Sequence, residues 1–130
     1  MPKGARTAKA FRLPAKPTVA KLQQALADLD QRLLELCNLR AEMSVQLSQL
    51  RQEEGQPDFQ LCDEDRQLAA VVEQNKGPLP PAAIKAVFRE LISACRAMIK
   101  PLRVAYLGPQ YSYSHLAAIH RFGQQVDYVA

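Results

Sequence analysis

The chain has 130 residues and a formal net charge of +4, enough for one small domain or a domain with part of a second. Apolar residues make up 48% and aromatics 6%, with no Trp; many Leu, Ala and Gln with few aromatics favour helices over a sandwich or barrel. No apolar run approaches the roughly 18 residues that span a bilayer, and the mean hydropathy is slightly negative, so the composition predicts a soluble protein.

The positive charge is concentrated at the start. Lys3, Arg6, Lys9, Arg12 and Lys16 face no acid within residues 1–16, which leaves the rest of the chain close to neutral. Residues 1–17 read as a disordered basic arm. Contact with nucleic acid or anionic lipid is the functional alternative. The arm lacks the apolar stretch of a secretory signal; an organelle transit peptide is a further alternative. Cys37, Cys62 and Cys95 are odd in number and lack CxxC spacing, which predicts free thiols in a reducing cytoplasm and no metal site. His115 and His120 are five apart, not the four that would stack them on one helix face.

Pro14 and Pro17 keep the chain extended up to Thr18, a candidate N-cap. From there to Arg51 there is no Pro or Gly. Leu22, Leu26, Leu29, Leu33, Leu36, Met43, Leu47 and Leu50 alternate in steps of four and three, as in a heptad seam, and Arg40 fills the one seam position without an apolar residue. A helix of 33 residues is about 50 Å long, whereas a compact 100-residue domain has a radius of gyration of about 13 Å. The rest of the chain cannot cover such a helix, so the seam predicts a homodimer through helix one. Gln52 to Cys62 contains Gly55 and Pro57 and reads as a loop. Asp63 is a candidate N-cap for helix two, which runs to about Asn75, with Glu64 and Asp65 suiting the helix dipole. Lys76-Gly77-Pro78-Leu79-Pro80-Pro81 is a break. Helix three starts near Pro81, buries a face of Ile84, Val87, Phe88, Leu91, Ile92, Cys95 and Ile99, and stops at Pro101.

The pattern then changes. Val104 to Leu107 with Gly108-Pro109 reads as a strand and turn, Ser114 as the cap of a short helix through Phe122, and Val126 to Val129 as a second strand. One such unit cannot bury both faces of its sheet. Residues 103–130 are therefore expected to be the start of an α/β domain, loosely packed or poorly ordered.

Arg40 is costly to bury without a partner. It either snorkels or pairs with a carboxylate across the dimer, or it binds an anionic ligand inside a helical bundle. Gln23 lies beside the seam. Arg51 follows Arg40 by eleven residues, nearly on the same face, and Arg66 and Gln67 open helix two. Arg40, Arg51 and Arg66 could converge as three cations suited to a ligand with two carboxylates; a solvated surface is the alternative for Arg51 and Arg66.

The mid-helix Arg, the acidic start of helix two and Phe88-Arg89-Glu90-Leu91-Ile92-Ser93-Ala94-Cys95-Arg96 resemble the all-helical chorismate mutases. Lys76-Gly77-Pro78-Leu79 and Lys100-Pro101-Leu102-Arg103-Val104-Ala105-Tyr106-Leu107-Gly108-Pro109 resemble the junction of bifunctional chorismate mutase–prephenate dehydratases, and Tyr113-Ser114-His115-Leu116-Ala117-Ala118 resembles the opening of the dehydratase domain. The resemblance covers about 20–130. It implies an all-α, three-helix protomer over 18–102 that forms an entwined homodimer, followed by an incomplete α/β piece over 103–130 with no dehydratase activity of its own. The implied reaction is the Claisen rearrangement of chorismate to prephenate in phenylalanine biosynthesis, with no cofactor and with no nucleic acid or membrane as partner. Such a step needs two carboxylates held in a reactive geometry and a donor at the ether oxygen, where negative charge develops.

Residue by residue, Arg40 matches the family's carboxylate-binding Arg. Arg51 stands where a Lys usually contacts a carboxylate and the ether oxygen, and a guanidinium is placed differently. Asp63 and Arg66 match the Asp and Arg at the start of helix two. Four positions depart. Gln23 replaces an Arg that crosses to the partner's site, Gln67 a Glu that holds the substrate hydroxyl, Cys95 a Ser, and Ile99 a Gln or Glu that polarises the ether oxygen. Losing one oxyanion-type donor costs about 100- to 1000-fold in rate, so the pattern predicts weakened activity. The alternative is a non-catalytic dimerisation or regulatory module derived from the enzyme, and a basic-armed coiled-coil binding protein is the third reading. In the dehydratase turn, Gln110-Tyr111-Ser112 replaces a Gly-containing triplet, which predicts a strained loop.

Overall fold

A computed structural model of the chain describes residues 11–57 and 61–130. The order of elements is α1 (Val19–Glu53), α2 (Leu61–Gln74), α3 (Pro81–Ile99), β1 (Arg103–Ala105), α4 (Tyr113–Phe122) and β2 (Asp127–Val129). The chain divides into two units, 1–38 and 39–130, with the division inside α1. Residues 1–10, most of the expected basic arm, lie outside the described residues, and 11–18 carry no helix or strand.

In the first unit, Thr18 caps α1 as its position suggests: its hydroxyl accepts the Lys21 N–H at 3.2 Å, satisfying one of the donors a helix start leaves over. The Arg32 guanidinium lies 5.6 Å from the Phe11 ring centroid, within cation–π range. Leu26, Leu33 and Leu36 of the seam are exposed.

In the second unit, α1 ends in a turn at Gly55, whose φ of +72° is open to glycine without strain. Helix α2 starts at Leu61, two residues before the expected cap. Asp63 therefore sits inside the first turn with Glu64 rather than capping it, and both carboxylates still favour the helix N-terminus. Asn75 closes the connection to α3: its side chain donates to the Leu79 carbonyl at 2.8 Å and accepts the Gly77 N–H at 3.1 Å. Pro81 opens α3 without costing a helix hydrogen bond, and Lys100 leaves it in extended backbone, as a residue before proline must. Leu68, Ile92 and Cys95 are the buried apolar residues among those described, with Ser93 at 0% exposure.

Residues 103–130 are not loose. Strands β1 and β2 pair in parallel, with Val104 opposite Tyr128, and α4 forms the crossover such pairing requires. Ser112, not Ser114, caps α4 by accepting the His115 N–H. The strained turn is present: Tyr111 has φ of +66°, a region that costs a non-glycine residue about 1–2 kcal/mol. Its N–H donates to Nδ1 of His115 at 2.9 Å, and the buried His115 ring stacks on Tyr106 at 4.4 Å and meets Tyr128 edge-on. The unit docks on α3 through Gly123 and Gln124. A Cβ on Gly123 would stand 2.7 Å from that of Ser93, and the Gln124 N–H donates to the Glu90 carboxylate at 3.0 Å. Arg121 adds an ion pair to Asp65 of α2 at 2.9 Å. A two-stranded sheet can thus be ordered when its helix finds a surface to pack on.

Candidate active site

Helix α1 sends Arg40, Ser44, Ser48 and Arg51 to one cavity of about 90 Å³. Their spacings of four, eight and eleven place them along one helix face, with the seam residue Leu47 among them. Helix α2 contributes Asp63, Glu64 and Gln67, and α3 contributes Ile92, Cys95, Arg96 and Ile99. Three guanidinium groups face two carboxylates, so the cavity keeps a net positive charge.

Local contacts set the side chains. Arg40 donates from Nη2 to Oε1 of Gln67 at 3.1 Å, so the neutral Gln67 amide orients this cation. Ser44 turns back to the Arg40 carbonyl at 2.8 Å, an ordinary place for a mid-helix hydroxyl. Arg51 Nη2 is 3.7 Å from Asp63 Oδ2, and both side chains are about one-quarter exposed. This partly exposed pair has modest energy of its own, which leaves the cation available to a ligand. Arg96 donates from Nε and Nη2 to the two oxygens of Glu64 at 2.7 and 2.8 Å, a bidentate pair between two buried side chains of the kind that fixes a guanidinium plane.

The residues singled out in the sequence divide. Arg40, Arg51, Asp63, Gln67, Cys95 and Ile99 all line the cavity. Arg66 does not: its side chain is 81% exposed and approaches Asp63 from outside at 3.8 Å. Three arginines do converge, but the third is Arg96. Gln23 is exposed in the first unit and does not line this cavity. Ile99 brings a hydrocarbon wall with no donor, as its side chain dictates. Sequence reading passed over Ser44, Ser48, Glu64 and Arg96. The serines share the helical register of Arg40, and Arg96 lies four residues after Ile92 and three before Ile99, a charge on the apolar stripe of α3; both signals were present in the spacing.

The cleft is walled by three helices and carries a net positive charge, which suits a compact anion. A family model described as chorismate mutase type II matches residues 22–100, and the chain belongs to that family of all-α mutases. It is also similar to the bifunctional chorismate mutase/prephenate dehydratase of Stutzerimonas stutzeri, 34% identical over 110 residues that make up 81% of this chain and 30% of that protein. The protein of the same name from Pseudomonas aeruginosa gives the same identity and coverage, and the one from Neisseria gonorrhoeae is 33% identical over 83% of this chain and 29% of its own. The chain thus spans about 30% of the length of these relatives.

Proposed function

We propose that residues 18–102 form a chorismate mutase domain that rearranges chorismate to prephenate, a step of aromatic amino acid and specifically phenylalanine biosynthesis. The observation that carries this reading is the convergence of Arg40 and Arg51 on one cavity, in a chain of the type II mutase family. In the reaction an ether C–O bond breaks as a C–C bond forms within one molecule. Nothing is oxidised, reduced or transferred, so the protein need only hold the substrate and stabilise charge, without a cofactor. Arg40, set by Gln67, binds a substrate carboxylate. Arg51 reaches a second anionic group or the ether oxygen, with Asp63 beside it, and Cys95 shapes the wall. Ile99 gives the ether oxygen no donor, so turnover is weak.

We further propose that the working form is a cytoplasmic homodimer built on α1. Leu26, Leu33, Leu36, Met43 and Leu50 are all more than half exposed in the single chain, and a contiguous apolar stripe of this kind marks an interface. In such a dimer Gln23 would face a partner's site as a neutral residue. Residues 103–130 would be the first β-α-β unit of a dehydratase-like domain. No helix among the described residues is long and apolar enough to cross a membrane.

The test is a steady-state assay of chorismate loss by the purified chain, with Arg40→Ala as control. Turnover that Arg40→Ala abolishes supports the mutase. The donorless Ile99 and the neutral Gln67 favour a second reading, a non-catalytic helical module. A wild-type chain that leaves chorismate untouched, and regains no activity with Ile99→Gln and Gln23→Arg together, would establish that reading instead.

A further inference from the structure

We propose that Arg96, not Arg66, is the third substrate-binding cation of the cavity, supplied by α3 and held in position by Glu64. This inference rests on the mutase reading. Three observations lead to it. Arg96 lines the cavity with Arg40 and Arg51, whereas Arg66 points to solvent and reaches only the outer side of Asp63. The Glu64 carboxylate takes two of the five N–H donors of the guanidinium, at 2.7 and 2.8 Å. Its plane is therefore fixed before any ligand arrives, and binding need not pay again for ordering the side chain. Finally, Arg96 is one helical turn from Ile99, and both line the cavity, so a guanidinium stands beside the apolar side chain of that wall.

Stability alone is a poor reason for the pair. Two buried opposite charges can often be replaced by packed apolar side chains at no loss. A pair retained in the wall of a positively charged cleft instead keeps a guanidinium there, with Glu64 as the residue that positions it.

That contrast defines the experiment. Arg96→Leu alone would strand a buried carboxylate and could unfold the chain, so the decisive variant of the full chain is Glu64→Leu with Arg96→Leu, which removes both charges. Helical circular dichroism and a cooperative melt establish its folding. The expected result is a folded protein whose kcat/KM for chorismate is at least 100-fold lower. Wild-type kcat/KM in the double variant would make the pair a mere clamp and overturn the proposal. Should the double variant fail to fold, Arg96→Lys decides: a tenfold or greater loss of kcat/KM supports a positioned guanidinium, and unchanged kcat/KM refutes it. An Arg66→Ala loss larger than that of Arg96→Lys would overturn the reassignment. Equilibrium dialysis with chorismate separates this inference from the mutase reading. Binding by a wild-type chain without turnover, lost in the double variant, keeps Arg96 as a ligand cation while the catalytic reading falls. Equal binding by both, or none by the wild type, removes Arg96 from the site.

Discussion

Arg40 and Ile99 stand on different walls of one cavity and pull its chemistry in opposite directions. Arg40 is a cation oriented by Gln67, and a charge-assisted hydrogen bond is worth about 1.5–3 kcal/mol. Arg40→Ala removes the cation and leaves Gln67 without its partner, so kcat/KM should fall by about 100-fold or more, with the helical fold retained by circular dichroism. Ile99→Gln adds donors to the wall of α3. The gain should appear in kcat rather than KM, because the charge those donors meet forms in the transition state. About tenfold is expected, less than a full oxyanion donor is worth, since Arg96 already lines the same wall. A KM change at constant kcat would place position 99 in ground-state binding instead.

Among the elements, α4 rests on α3 through the glycine that ends it. Gly123 ends α4 with φ of +79° and ψ of −175°, a region that is essentially glycine-only, and any Cβ there meets buried Ser93. Gly123→Ala should therefore lower stability by about 1–3 kcal/mol, as overpacking does. Limited proteolysis should cut residues 103–130 sooner while α1 to α3 persist; an unchanged digestion pattern would show that the docking is not tight. Tyr128 links the same elements. Its hydroxyl donates toward the carbonyls of Gly123 and Ala118. Burial, then the Glu90 carboxylate, push its pKa above the usual phenol value, partly offset by Arg96. The folded state thus prefers the protonated phenol. That stability is fully present below about pH 10, the value of a free tyrosine, and is lost as pH rises through the higher folded value. Thermal melts should fall more steeply above pH 10 in the wild type than in Tyr128→Phe.

For the molecule as a whole, few apolar side chains are fully buried among the described residues, while the leucines of α1 stay open. A helix of 35 residues runs for about 52 Å, and its seam gains stability only against another surface. Leu36 is 61% exposed in the single chain, so Leu36→Glu should cost little to a monomer and much to a dimer. Sedimentation at micromolar concentration should show a dimer for the wild type and a shift toward monomer for Leu36→Glu, with kcat/KM falling in parallel. A well-folded wild-type monomer would rule out the α1 interface.

The helices, the Thr18 cap, the Pro81 start and the stop before Pro101 were legible because each depends on residues within a turn or two of itself. So were Arg40, Arg51, Asp63 and Gln67, since helical spacing alone puts the first two on one face and the family resemblance marks all four. The strain at Tyr111 was legible too, from a missing glycine. The sequence pointed to Ser114 as the cap of α4, whereas the helix starts at Tyr113 and Ser112 caps it, a shift of two residues that local chemistry does not reveal. Nor could it show that residues 103–130 would pack, which depends on Gly123 meeting Ser93 from 30 positions away. The exchange of Arg66 for Arg96 has the same origin. Both are arginines in helices, and only the pairing of Arg96 with Glu64 across 32 residues turns one inward, while the register of α2 leaves the other in water. Burial and charge pairing between distant segments belong to the tertiary fold, because a sequence fixes which face of its own helix a side chain occupies but not what lies opposite.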